Sequence, residues 1–228
     1  MDRRTRPFAP SRATRAIAVG LALLVGLVAF ELGPTESSLA RPLPVAHAQV
    51  GGCSVVAGSI GFYGQTFSAT TVVWAIDLSG SMSGSRLATL KQELTMAIQS
   101  LQPNQRFGIV GFSSSLTVFQ TVVVPATATN QQSAIAWVQS LTATGSTCTA
   151  PGGVRALEIA NASPDVLRRV ILVTDGVPNC PGIAETLAAI AAANTQGIPI
   201  DGIYLAGDAL GVAFLQQLVS ENGGQFYH

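Results

Sequence analysis

The order and type of apolar segments predict an α/β protein, a three-layer αβα sandwich with a mainly parallel sheet and one antiparallel edge strand. Two short β-branched runs, 71–76 and 169–174, read as strands buried on both faces. Between such runs lie stretches with apolar residues at helical spacing. A strand–helix–strand rhythm favours parallel pairing with helices on both faces of the sheet. Composition agrees, with 48% apolar and only 11% charged residues in 228, against about a quarter charged in ordinary soluble domains.

Taken in order, the elements follow simple signals. The run 71–76 (Thr-Val-Val-Trp-Ala-Ile) is the first central strand. Ser85 caps a helix carrying Leu87, Leu90, Leu94, Ile98 and Leu101 at 3.6-residue spacing, which ends before Pro103. Residues 106–112 form the next strand and 116–123 a third, at the sheet edge. Helices are expected around 131–140 and 152–160, then the second central strand over 169–174. A helix over 184–194, a strand over 198–205, a helix over 210–220 and a last strand over 224–228 complete the pattern. The folded domain is thus expected over 70–228.

Ahead of it, residues 1–48 read as a signal peptide or an uncleaved N-terminal membrane anchor. Five arginines against Asp2 alone precede the apolar stretch 16–30, and Ala46-His47-Ala48 offers a small-x-small cleavage site. The apolar stretch is shorter than the roughly 20 residues a spanning helix prefers. Val50-Gly51-Gly52-Cys53 imitates a lipoprotein box, though far from the apolar run. Residues 49–69 read as a linker or short N-terminal extension, in which 55–56 and 60–63 can add a short strand or hairpin. From Gln49 onward six basic residues face nine acidic ones with no basic stripe, which argues against nucleic acid as a partner.

Export would place the cysteines in oxidising surroundings. Of Cys53, Cys148 and Cys180, the last two fall on predicted loops at one sheet edge and are the expected disulfide. Cys53 is then free, lipidated or paired with another chain. The alternative is three buried or free thiols.

Open α/β sheets bind ligands beyond the carboxyl ends of their strands. Asp77-Leu78-Ser79-Gly80-Ser81 lies there, directly behind 71–76. A carboxylate and two hydroxyls at alternate positions suit a hard divalent cation such as Mg2+ or Mn2+. Two further oxygen-bearing loops, Gly145-Ser146-Thr147 and Thr174-Asp175-Gly176, lie at the same edge.

These three segments resemble, in order and spacing, the metal-ion-dependent adhesion site of the von Willebrand factor type A family. The first resembles its D-x-S-x-S motif, the second the loop that supplies a threonine, and the third the loop that supplies an aspartate. The resemblance covers about 70–228 and implies a Rossmann-like sheet. It implies that Ser79, Ser81 and Thr147 give hydroxyl oxygens to Mg2+ or Mn2+, with Ca2+ also admissible. Asp77 and Asp175 would act mainly through water, or directly in one of the two states such sites adopt. A protein or matrix ligand presenting Asp or Glu would complete the shell. Cys148 follows Thr147 where the family often has a polar residue. The family generally continues into a closing C-terminal helix, so a sheet face is expected to be uncovered here. Asp77 is expected to face solvent at the sheet edge, so that Asp77→Ala costs little stability.

Catalysis is not expected. The histidines are His47 and His228 alone, no G-x-S-x-G elbow occurs, and no phosphate-cradling G-x-x-x-x-G-K-[ST] loop is present. The leading expectation is an exported or envelope protein-binding module, membrane-attached only if its N-terminal segment is retained. The alternatives are a structural component of a secreted or envelope assembly and, less favoured, a metal-dependent hydrolase.

Overall fold

The computed structural model describes residues 58–228. The expectations for 1–48, for 49–57 and for Cys53 therefore lie outside the described residues. The strands are β1 (Gly58–Phe62), β2 (Gln65–Ala69), β3 (Thr71–Asp77), β4 (Arg106–Phe112), β5 (Leu116–Val118), β6 (Val124–Pro125), β7 (Arg168–Thr174), β8 (Ile200–Tyr204) and β9 (Phe226–Tyr227). The helices are α1 (Ser85–Ser100), α2 (Ala128–Ser140), α3 (Thr149–Asn161), α4 (Ile183–Ala193) and α5 (Ala209–Glu221).

The main sheet has seven strands in the order β5-β4-β3-β7-β8-β9, with β6 also paired to β4. Every pairing among β4, β3, β7, β8 and β9 is parallel. β3 is buried along its whole length, as its unbroken apolar run requires. One face packs against α1 and α2 through Trp74, Ile76, Leu90, Leu94, Ile98 and Val138. The other packs against α3, α4 and α5 through Val73, Ala75, Ile159, Ile190 and Leu218. The three-layer αβα sandwich predicted from the pattern is the observed architecture.

Three details differ from the expectation. The edge strand expected over 116–123 is split into β5 and β6, both antiparallel to β4. Between them Phe119 turns inward and stacks on Phe107, with ring centroids 6.1 Å apart. Helix α3 begins at Thr149, not at 152, because Pro151 is tolerated in a first turn that needs no amide donor there. Gly152 follows because a Cβ there would run into the Phe112 ring.

The third difference lies in 58–69. The strand or hairpin admitted at 60–63 extends over the whole stretch, which forms the β1–β2 hairpin rather than a spacer. Its turn, Tyr63-Gly64, has both residues left-handed at φ 49° and 70°, the geometry that matches hairpin twist. Ile60, Phe62, Phe67 and Ala69 point alternately into the same core as α1 and α2. Phe67 meets Tyr227 of β9 edge-on at 5.5 Å. The sheet face expected to be bare is thus covered, by a hairpin rather than a helix. Among the described residues no helix is long and apolar enough to cross a membrane.

Candidate metal site

The parallel strands β3 and β7 end side by side, so the loops behind them emerge at one edge. Behind β3, Gly80–Met82 form a 3-10 turn that carries Ser81 to the rim. The second loop, from 141 to 148, is held against the first by the Gly80 N–H donating to the Gly145 carbonyl at 2.9 Å. Gly145 has φ 85°, a left-handed backbone that glycine adopts without cost, and a Cβ there would also crowd Ser114.

Four of the five expected donors are brought into one connected network. The Ser79 and Ser81 hydroxyls are 3.0 Å apart. The Ser81 hydroxyl donates to Asp175 Oδ1 at 2.7 Å. Asp77 Oδ1 accepts from the Ser79 N–H at 2.7 Å, and its Oδ2 accepts from the Thr174 hydroxyl at 2.5 Å. Thr147 stands against Gly176, the neighbour of Asp175, its Oγ1 3.0 Å from where a Gly176 Cβ would be. Asp77, Ser79, Thr147 and Asp175 are buried, and only Ser81 is exposed.

Asp77 does not face solvent, contrary to expectation. It is the last residue of β3 and is fully enclosed by the ends of β4 and β7. Burial pushes its carboxyl above the usual carboxylate range, opposed by the hydrogen bonds from Thr174 and Ser79. Nearby, the Asp208 carboxyl is held below the usual range, first by the Tyr204 hydroxyl and then by the Gly211 N–H.

The second and third loops are tied together twice. Cys148 and Cys180 form the expected disulfide, with Cα atoms 4.7 Å apart. Beside it, the Thr147 N–H donates to Asn179 Oδ1 and the Asn179 N–H donates to the Thr147 carbonyl, each at 3.1 Å. Two hydrogen bonds and a covalent tie therefore hold Thr147 against the loop that carries Asp175.

Residues 72–177, from β3 to just beyond Asp175, match the family described as von Willebrand factor type A domain. The chain carries a von Willebrand factor type A domain. It is 29% identical over 173 residues to the human inter-alpha-trypsin inhibitor heavy chain H4. That match covers 71% of this chain but 18% of the relative, so the chain spans less than a fifth of the protein it resembles. In fold, the type A domain is similar to a von Willebrand factor type A structure from Catenulispora acidiphila. That likeness has a TM-score of 0.62 at 21% identity, covering 71% of this chain and 39% of the other. It is likewise similar to the pilus adhesin SpaC from Lactobacillus rhamnosus GG, with a TM-score of 0.58 at 19% identity, covering 71% and 29%.

Residues that sequence reasoning missed in the type A domain are Arg86, Thr174 and Asn179. The Arg86 Nη1 donates to Asp175 Oδ2 at 2.8 Å and to the Ser81 carbonyl at 3.1 Å. Thr174 was within reach, since it ends a strand beside Asp175 as Asp77 ends its own. No sequence signal aims Arg86 at Asp175, because the two are 89 positions apart. Among the described residues no cluster of three His, Cys, Asp or Glu side chains gathers, so the candidate donors are mostly hydroxyls.

Proposed function

We propose that the type A domain is a protein-binding module of adhesion type, acting outside the cytoplasm through a divalent cation. The cation would be Mg2+ or Mn2+, with Ca2+ as the competitor. Ser79, Ser81 and Thr147 would offer it hydroxyl oxygens, and Asp77 and Asp175 would balance its charge. Such an ion, incompletely satisfied by neutral hydroxyls, supplies a position that an Asp or Glu of a protein partner can fill.

The observation that carries this reading is the convergence of Ser79, Ser81 and Asp175 in one hydrogen-bonded chain beside the buried Asp77. Hydroxyls and carboxylates are the donor set that hard cations take. The enclosed Asp77 charge, with no basic side chain bonded to it, gains from a cation nearby. The likeness to a pilus adhesin, the disulfide and the basic, apolar N-terminal segment support a secreted or envelope location.

Binding rather than catalysis fits the chain's own groups. His228, the one histidine among the described residues, bonds through Nε2 to the Ala206 carbonyl at 2.7 Å. Among the described residues, nothing in the hydroxyl network is hydrogen-bonded to a neutral base that could activate a nucleophile.

Calorimetric titration of the chain with Mg2+, Mn2+ and Ca2+ tests the reading. Saturable binding is expected with at least one of the first two, abolished by Ser79→Ala together with Ser81→Ala in a protein whose thermal melt is retained. Absence of binding to all three ions by the wild-type chain overturns it. An assembly role without metal control would show partner association that survives EDTA.

A further inference from the structure

Beside the proposed cation site runs a groove of about 180 Å³, lined by Tyr63, Ser85, Arg86, Thr89 and Leu205. Arg86 belongs to both places. Its Nη1 carries both of its hydrogen bonds, to Asp175 and to the Ser81 carbonyl. Its Nε and Nη2 donate to no described residue, and the side chain is 44% exposed while that of Asp175 is fully enclosed. A guanidinium presents its N–H groups as a planar fork suited to a carboxylate. The Nε and Nη2 donors of that fork are unused, and Arg86 lines the groove.

The placement is electrostatically unusual. Arg86 is the second residue of α1, whose first turn holds no acidic residue. Positive charge is disfavoured at the amino end of a helix, so Arg86 and the helix dipole together make this rim positive. Of the other carboxylates in this region, Asp208 is engaged by Tyr204 and Gly211 and Glu93 accepts the Tyr63 N–H. Neither is bonded to Arg86.

Tyr63 supplies a second, independent observation. Its hydroxyl is buried and has no hydrogen-bond partner among the described residues. Burial and the Glu93 carboxylate hold it protonated, so it remains a donor. The residue sits in left-handed backbone at φ 49°, a conformation that bulky side chains rarely adopt. The Glu93 carboxylate secures it by accepting the Tyr63 N–H at 2.8 Å. A left-handed turn thus holds Tyr63 in the lining of the groove that Arg86 also lines.

We propose that this groove is a second carboxylate subsite, in which Arg86 and Tyr63 bind an additional acidic group of the partner beside the one at the cation. The ligand class is a protein segment with two acidic side chains close together. The inference rests on the function proposed above and adds a consequence. Arg86 neutralises Asp175 in the free protein, so it competes with the cation for that carboxylate. Once a cation is present, the two positive groups favour the same acidic partner, and cation and partner bind with positive coupling.

The test uses Mn2+ alone, then a short tri-aspartate peptide in saturating Mn2+, on the full chain. Arg86→Gln is expected to tighten Mn2+ binding about threefold or more, because a like charge is removed at close range. The same variant is expected to weaken the peptide about tenfold or more, since charged hydrogen bonds are lost. Arg86→Lys keeps the charge and should hold Mn2+ affinity near wild type. Tyr63→Phe should weaken the peptide several-fold and leave Mn2+ unchanged. Opposite signs for Arg86→Gln support the subsite, whereas unchanged or jointly weakened binding overturns it. A wild-type chain that takes Mn2+ while Arg86→Gln changes nothing defeats this inference alone. A wild-type chain that takes no Mn2+ defeats the function proposed above and this inference with it.

Discussion

The contrast between Asp77 and Ser81 shows how two residues four apart in one loop come to differ in energetic role. Ser81 is exposed and offers its hydroxyl at the rim, whereas Asp77 is sealed at the end of β3. Asp77→Ala would strand the Ser79 N–H, whose acceptor is gone, and leave the Thr174 hydroxyl only the longer bond to the Gly176 carbonyl at 3.3 Å. Buried donors left without partners cost about 1–3 kcal/mol each. Relief of the buried charge offsets part of this, so a net loss of about 1–3 kcal/mol is expected from urea denaturation in EDTA. Asp77→Asn, which keeps an acceptor for Ser79, should lose less. Equal stability of wild type and Asp77→Ala would show that the carboxylate's desolvation cancels its hydrogen bonds. Asp77 itself was legible in the sequence because a carboxylate directly after a β-branched run has few other uses. Its burial was not legible, since it depends on β4 and β7 ending level with β3. Arg86 was hidden for a related reason: an arginine in a first helical turn reads as a solvated side chain until the third loop is placed against it.

Among the elements, the β1–β2 hairpin changes the boundaries of the domain. Its signal was present as a period of two, with Ile60 and Phe62 on one strand and Phe67 and Ala69 on the other. Glycines at 51, 52, 58, 61 and 64 obscured it by giving the stretch the composition of a spacer. The alternation decides the matter because each inward residue finds the face shared with α1. Phe67 is 2% exposed and links the hairpin to β9 through Tyr227. Phe67→Ala is therefore expected to cost about 3–5 kcal/mol, the range for deleting a buried phenyl ring. A spacer would lose almost nothing on that change, so chemical denaturation of the single variant separates the two roles. The hairpin also positions Tyr63, so a loosened hairpin should weaken the acidic subsite before it disturbs the Ser79–Asp175 network.

At the scale of the whole molecule, the site depends on keeping three loops in register at one edge of a parallel sheet. The strands fix where the loops begin, but Thr147 ends a long loop and has no strand directly beneath it. The Cys148–Cys180 bridge and the pair of hydrogen bonds between Thr147 and Asn179 supply that missing constraint. The bridge spans 32 positions and encloses α3 and β7 in one covalent loop. Chain-entropy arguments assign a loop of that length about 3.5–4 kcal/mol, realised in part when the native state resists the cross-link. Cys148→Ser with Cys180→Ser is expected to lower stability by about 2–4 kcal/mol while the sandwich persists, since both faces of the sheet are packed without it. Its local effect should be uneven. Amide exchange should quicken at Ser146, Thr147 and Asn179, whereas Ser79 and Met82 should keep their protection because their bonds lie within the first loop. Mn2+ affinity should fall in step with the exchange at Thr147. If exchange there stays slow in the double variant, the Thr147–Asn179 pair holds the loops unaided, and the bridge serves the stability of the fold rather than the site.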